Sequence, residues 1–287
     1  MGIKRVIQMK LNKIKKVIPG FNTLSIHHGK SFAEETGCIM PPIFATSTFE
    51  HGNAQNFDYT RSGNPNFRIL ADILKALENS TYCTVFNSGI SAVTAIASSL
   101  KSGDKILCES NLYGCTIRMF EKIFKKFNIK TFYCDFTDKD NIKKISEIHP
   151  TLIWLESPTN PLLKILDIKE ICSEAKKNEI PVVVDNTFCT SMIQRPLELG
   201  ATISLISTTK LINGHSDALG GAVLTNDAEW QEKMIFSQKA LGLHPSPFDC
   251  WLITRGIKTL PLRVEKQSKN AELISEELLT NNLIKEI

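Results

Sequence analysis

The chain has 287 residues, 42% hydrophobic and 22% charged, with a net charge of +4. That length can build one large core or two domains, and so mild a charge is no argument for nucleic acid. No apolar run nears the roughly 20 residues that a membrane span needs. The eight cysteines stand at 38, 83, 108, 115, 134, 172, 189 and 250. None has CxxC spacing and several sit inside apolar runs ("KILCES", "TFYCDF"), which points to a reducing, cytoplasmic setting. The six histidines do not join them at metal-ligand spacing, so no metal is expected.

In chain order, residues 1–20, "MGIKRVIQMKLNKIKKVIPG", are basic and carry no acid. Ile3, Val6, Ile7, Leu11, Ile14, Val17 and Ile18 recur at near-helical spacing. This suits an amphipathic arm lying on a neighbouring subunit, with an organelle-targeting peptide as the alternative. Residues 1–65 as a whole are expected to be an N-terminal arm of extended segments and turns. Residues 66–245 then alternate short apolar strands ("YCTVF", "KILCES", "IKTFYCDF", "TLIWLES", "PVVVDN", "ATISLIS", "GGAVLTND") with helical stretches of 10–15 residues. That is the pattern of an α/β domain, a mostly parallel sheet covered on both faces. In such sheets functional groups gather beyond the carboxyl ends of the strands. Residues 246–287 begin with Ser246 as an N-cap, Pro247 in the first helical position and Asp249 on the positive helix end. The spacing predicts one long helix to about Leu279, kinked at Pro261.

Two strand tips carry chemistry. "VVVDNTF" ends a buried strand on Asp185, and "ISTTKLINGHSD" delivers Lys210 on a hydroxyl-rich turn. A lysine buried there would have a lowered pKa and form a Schiff base with an aldehyde. Ser207, Thr208 and Thr209 offer donors to an anion. Pyridoxal 5'-phosphate (PLP) is the aldehyde cofactor that needs a lysine, a phosphate cradle and a carboxylate on a ring nitrogen. A pyridinium partner would offset the desolvation of Asp185. "NSGISA" is a strand–turn–helix junction whose Gly89 and Ile90 N–H groups would face an anion. Neither G-x-G-x-x-G nor G-x-x-x-x-G-K-[ST] occurs, so dinucleotide and nucleotide-triphosphate readings lack their cradle. Tyr113 in "ESNLYGCT" follows another strand tip and can stack on a planar ring, or simply fill a half-buried position. Asn160 in "ESPTNP" either meets the ring's oxygen or shapes the turn.

Together, "FNTLSIHHG", "YTRSGNP", "NSGISA", "LYGCT", "ESPTNPLLKILDI", "VVVDNTF", "TTKLINGHSDALGG" and "PSPFDCWLITRGIKTLPLR" resemble the Cys/Met-metabolism family of PLP-dependent enzymes, which act in transsulfuration. The resemblance implies a PLP-transferase fold type I large domain with a mostly parallel seven-stranded sheet between helices. It also implies a chain that ends before the family's small C-terminal domain, whose arginine binds the substrate α-carboxylate. Lys210 would carry the cofactor and shuttle protons, and Asp185 would bind the ring nitrogen. Gly89, Ile90, Ser207 and Thr209 would hold the phosphate, Tyr113 would stack, and Asn160 would touch the ring oxygen. Tyr59 and Arg61 would reach the phosphate of a neighbouring subunit, which implies a homo-oligomer, a dimer of dimers. Arg118 would meet the distal end of a cystathionine-like substrate, whereas Cys115 is similar to methionine γ-lyases. The implied substrates are O-acylhomoserine, cysteine and cystathionine. The reading favours γ-replacement, as in cystathionine γ-synthase, over γ-elimination. A PLP-binding paralogue without activity and an α/β protein without PLP are the rivals.

Overall fold

The computed structural model of the chain describes residues 19–29 and 37–284. Of the basic segment expected to form an amphipathic arm, residues 1–20, all but the last two residues lie outside the described residues. The first described element is a short helix, α1 (Phe21–His27), in a stretch expected to be extended. An extended segment follows and makes one antiparallel bridge, Thr48 to Tyr59. Asn64 then caps α2 (Pro65–Glu78), its side chain accepting the Asn66 N–H at 2.9 Å, with Pro65 in the first turn. The Asn66 side chain accepts the Phe44 N–H at 2.8 Å and donates to the Pro42 carbonyl at 2.9 Å. The arm is thereby tied to the start of the α/β domain.

Seven strands follow: β1 (Tyr82–Phe86), β2 (Lys105–Glu109), β3 (Lys130–Cys134), β4 (Leu152–Glu156), β5 (Val182–Asp185), β6 (Ile203–Ile206) and β7 (Gly221–Thr225). Their spatial order is β1-β7-β6-β5-β4-β2-β3. Only β7 runs against its neighbours, pairing antiparallel with both β1 and β6. The carboxyl ends of the other six strands therefore lie along one edge. The helices α3 (Gly89–Ala97), α4 (Gly114–Lys122), α5 (Lys144–Ile148), α6 (Ile168–Lys177) and α7 (Thr190–Ile193) lie in the connections between strands, and α8 (Ala228–Ala240) follows β7.

The near-continuous apolar runs make sense strand by strand, because side chains alternate between two covered faces. In β4, Leu152 and Trp154 join a cluster with Ala92, Ile96, Phe120 and Met234, while Ile153 and Leu155 join one with Ile145, Ile168 and Ile171. Trp154 is fully buried and meets Phe120 edge-on, ring centroids 5.3 Å apart.

The long kinked helix expected from Ser246 is instead two helices, α9 (Pro247–Ile257) and α10 (Leu260–Leu279). Pro261 lies in the first turn of α10, where its missing N–H costs nothing, so it opens a helix instead of bending one. Cys250, Ile253, Ile257, Leu260 and Val264 pack with Phe67, Leu70 and Leu74 of α2. No helix among the described residues is long and apolar enough to cross a membrane. No cysteine among the described residues is in a disulfide, and Cys83, Cys108, Cys134, Cys172 and Cys250 are buried.

Candidate functional site

Acidic residues close three parallel strands: Glu109 on β2, Glu156 on β4 and Asp185 on β5. All three are buried. Glu109 is satisfied locally, accepting the N–H groups of Asn111 and Phe136 at 3.1 and 2.8 Å and the Ser110 hydroxyl at 2.7 Å. Asp185 is not. The Thr187 N–H and hydroxyl both donate to its Oδ1, at 3.1 and 2.6 Å, and no donor among the described residues reaches Oδ2. Burial pushes its carboxyl up to about 6.

A bonded chain leads from Asp185 to the phosphate candidates. Thr187 Oγ1 accepts the Ser207 N–H at 2.9 Å. Ser207, the first residue after β6, presses on Gly89: a Cβ at Gly89 would stand 2.8 Å from Ser207 Cβ and 2.9 Å from its Oγ. Gly89 is thus the one residue small enough to open α3 there. Ser88 caps that helix by accepting the Ser91 N–H, which leaves the N–H groups of Gly89 and Ile90 pointing out of its first turn. The Lys210 N–H donates to the Ser207 carbonyl at 3.3 Å, which sets the lysine on the same turn. Thr209 is held otherwise. Its hydroxyl donates to the Gly220 carbonyl at 3.1 Å and accepts the Gly220 N–H at 3.0 Å.

The Lys210 side chain is exposed, which corrects the expectation of a buried amine.

Glu156 joins the second half of the site. It pairs in register with Asp185 across β4 and β5, and its Oε2 accepts the Tyr113 N–H at 2.7 Å. Burial first, and the neighbouring Asp185 carboxylate second, push Glu156 up to about 8. Tyr113 precedes α4 and is 43% exposed, its ring open to a ligand at the strand tips. The Arg118 guanidinium donates to Cys115 Sγ at 2.8 Å. Hydrogen bonds from Tyr113 and then Arg118 hold the Cys115 thiol below its usual range. Asn160 is half-buried between the cis bonds Ser157–Pro158 and Asn160–Pro161, on a loop that Thr159 closes against Lys164.

Tyr59 and Arg61 stand apart from this bonded chain. With Thr46, Ser47, His244 and Pro247 they line a cavity of about 380 Å³. Arg61 donates to the Lys239 carbonyl at 3.0 Å and lies 5.5 Å over the Tyr59 ring.

Sequence reasoning misses Glu156 and Thr187 as site residues, although both carry a signal. Glu156 ends an apolar strand on an acid just as Asp185 does, and a threonine two residues past an acid is well placed to bond it. Among the described residues no group of three or more His, Cys, Asp or Glu is placed to hold a metal ion.

The residues fit PLP. A glycine cradle at a helix start, a carboxylate with one oxygen that no donor among the described residues reaches, and a lysine on the intervening turn share one strand-tip edge. The family described as Cys/Met metabolism PLP-dependent enzyme matches residues 22–287. A cystathionine gamma-synthase of Mycobacterium leprae is 40% identical over 264 residues, covering 90% of this chain and 68% of that protein. The human cystathionine gamma-lyase is 38% identical over 273 residues, covering 93% of this chain and 67% of that one. Among solved structures, cystathionine gamma synthase from Xanthomonas oryzae pv. oryzae in complex with cystathionine superposes with a TM-score of 0.90 at 36% identity. That match covers 93% of this chain and 70% of the other.

Proposed function

Since the chain belongs to the Cys/Met-metabolism family of PLP-dependent enzymes, with pyridoxal 5'-phosphate as its cofactor, we propose that it catalyses γ-replacement on an O-acylhomoserine, joining cysteine to give cystathionine. The observation that carries the reading is the hydrogen-bonded chain Ser207–Thr187–Asp185, with Gly89 packed against Ser207 and Lys210 hung from it.

When bound, the cofactor supplies an aldehyde for an amine and a ring that takes up the electron pair left at the substrate Cα. Asp185 Oδ2 would meet the ring nitrogen and keep a proton there. The opposite charge would pull its pKa back down, so the carboxyl's own tendency to protonate disappears. The Gly89 and Ile90 N–H groups would bind the phosphate, with the Ser207 hydroxyl and the Thr209 turn beside them. Tyr113 would cover the ring, its backbone fixed by Glu156, and the Asn160 amide would orient the ring oxygen. The Lys210 amine would take the proton from Cα and return it later in the sequence. The bond from Cγ to the acyl oxygen breaks, releasing a carboxylate, and the cysteine sulfur bonds to Cγ with loss of its proton.

Tyr59 and Arg61 would serve the phosphate of an adjacent subunit, so the proposed working unit is a homo-oligomer, a dimer of dimers. Eight cysteines outside any disulfide, five of them buried, support a reducing, cytoplasmic setting.

One observation favours a second reading. The Arg118 guanidinium, expected at the distal end of a cystathionine-like substrate, is engaged by Cys115 at 2.8 Å beside Tyr113. That leaves a thiol near the ring and suits γ-elimination, with cystathionine or methionine as substrate. Purified protein loaded with PLP separates the readings. Cystathionine formed from O-acylhomoserine and cysteine supports replacement. A 2-oxo acid and ammonia formed from cystathionine alone support elimination. Bound cofactor with neither product means a PLP-binding protein without this activity.

A further inference from the structure

We propose that Arg263 is a positioning residue that fixes the backbone turn from which Lys210 hangs. The inference rests on the reading of Lys210 as the cofactor lysine. Arg263 is half-buried in the first turn of α10, and its donors converge on that turn. Nη1 donates to the Leu211 carbonyl at 2.7 Å and Nη2 to the Ile212 carbonyl at 3.2 Å. These are the two residues that follow Lys210. Nη2 also donates to the Gly256 carbonyl at the end of α9 at 2.9 Å, and Nε to Thr259 Oγ1 at 3.0 Å. One planar group thus ties the lysine turn to the break between α9 and α10. A guanidinium presents five N–H donors in a fixed fork, whereas an ammonium at the same place satisfies fewer and in no set geometry.

The turn is shaped around this group. Gly214 has φ +73°, and a Cβ there would stand 2.0 Å from Arg263 Nη1. The Gly214 N–H closes back on the Lys210 carbonyl at 2.8 Å, and the Asn213 N–H on the Thr208 carbonyl at 3.0 Å. From the other side, a Cβ at Gly256 would stand 2.3 Å from the Asn213 carbonyl oxygen. Docking of α10 does not depend on the guanidinium, because Leu260, Pro261 and Val264 are buried already. What Arg263 adds is specific to the turn. Lys210 has an exposed, flexible stem, so the rigidity of its backbone decides how often the amine stands at the strand tips.

The test compares Arg263→Met and Arg263→Lys with the parent as full chains loaded with PLP. Three quantities are read: the pH midpoint of the visible absorbance band, the rate at which borohydride traps the cofactor on Lys210, and the urea midpoint without cofactor. Arg263→Met is expected to trap on the order of 10- to 100-fold more slowly, the range for misplacing a reacting group by about 1 Å. Its pH midpoint should also move, and Arg263→Lys should restore part of both. A role in stability alone would shift only the urea midpoint. Parent-like trapping and a parent-like pH midpoint in Arg263→Met overturn the inference. If that variant does not fold, Arg263→Lys decides in the same way, since threefold or slower trapping supports the inference and parent-like trapping overturns it. A parent that never colours sinks the cofactor reading, and this one with it. A parent that colours beside an unchanged Arg263→Met sinks this inference alone.

Discussion

Glu156→Gln isolates the electrostatic load that the strand tips carry before a cofactor arrives. Glu156 and Asp185 are register neighbours at adjacent strand ends, both buried. Burial and then Asp185 raise Glu156 from 4.5 to about 8. An acid whose folded pKa lies above its unfolded value adds stability below the unfolded pKa and loses it as pH rises through the folded one. In the cofactor-free chain Glu156 therefore contributes fully below about pH 4.5 and stops contributing above about pH 8. Each tenfold rise in proton affinity is worth about 1.36 kcal/mol, so ionising Glu156 in place costs on the order of 3–5 kcal/mol. Glutamine keeps a carbonyl oxygen for the Tyr113 N–H but cannot ionise. The variant should lie close to the parent at pH 5, exceed it by about 2 kcal/mol at pH 6 and exceed it at pH 9 by several kcal/mol, or roughly 1 M in urea midpoint. Urea unfolding of both cofactor-free proteins from pH 5 to 9 measures this. Parallel stability curves for the two proteins would show that Glu156 is not the strained group and that the strand-tip pair is not coupled.

Gly89→Ala drives a methyl to within 2.8 Å of Ser207 Cβ. Crowding of that kind costs about 1–3 kcal/mol. The urea midpoint of the cofactor-free chain should fall accordingly, and PLP affinity should fall with it in an absorbance titration, because the added methyl also displaces the N–H groups that would bind the phosphate. Thr187→Val removes the hydroxyl donor to Asp185 and the acceptor for the Ser207 N–H at once, leaving only the backbone N–H on Asp185. It should raise the pH below which the visible band is lost, followed by spectral titration. Glu78 is buried with one oxygen lacking a partner, and burial pushes it up to about 7. Glu78→Gln should flatten part of the stability loss between about pH 4.5 and 7 without changing PLP affinity, by urea unfolding and cofactor titration. Phe120→Ala opens a hole beside Trp154 and should cost about 3–5 kcal/mol in urea unfolding.

The sheet was legible because every strand is a short run of apolar residues between turn signals, and a strand covered on both faces needs no alternation to be found. The positions of Lys210 and Asp185 followed from the same rule, as polar residues at the tips of buried strands. Glu156 obeys that rule too, but its strand leads into a proline-rich loop where Asn160 is a competing polar candidate. The break before Pro261 is ambiguous in sequence, since proline both bends helices and opens them, and only the packing of Leu260 and Val264 on α2 decides which. Burial of the lysine could not be read locally: the β6 run is buried, but four residues of turn carry the side chain out past it. The ties from Arg263 to Leu211 and Ile212 join segments some 50 residues apart, which no periodicity reveals.

The central claim is that one aromatic aldehyde is gripped by Lys210 and Asp185 together. Reducing the PLP-loaded protein with borohydride and mapping its peptides by mass spectrometry tests it most directly. The label should fall on Lys210 alone at one cofactor per chain, and Asp185→Ala should weaken the loading sharply. A label scattered over the surface lysines, or Lys210 labelled equally well in Asp185→Ala, would contradict the account.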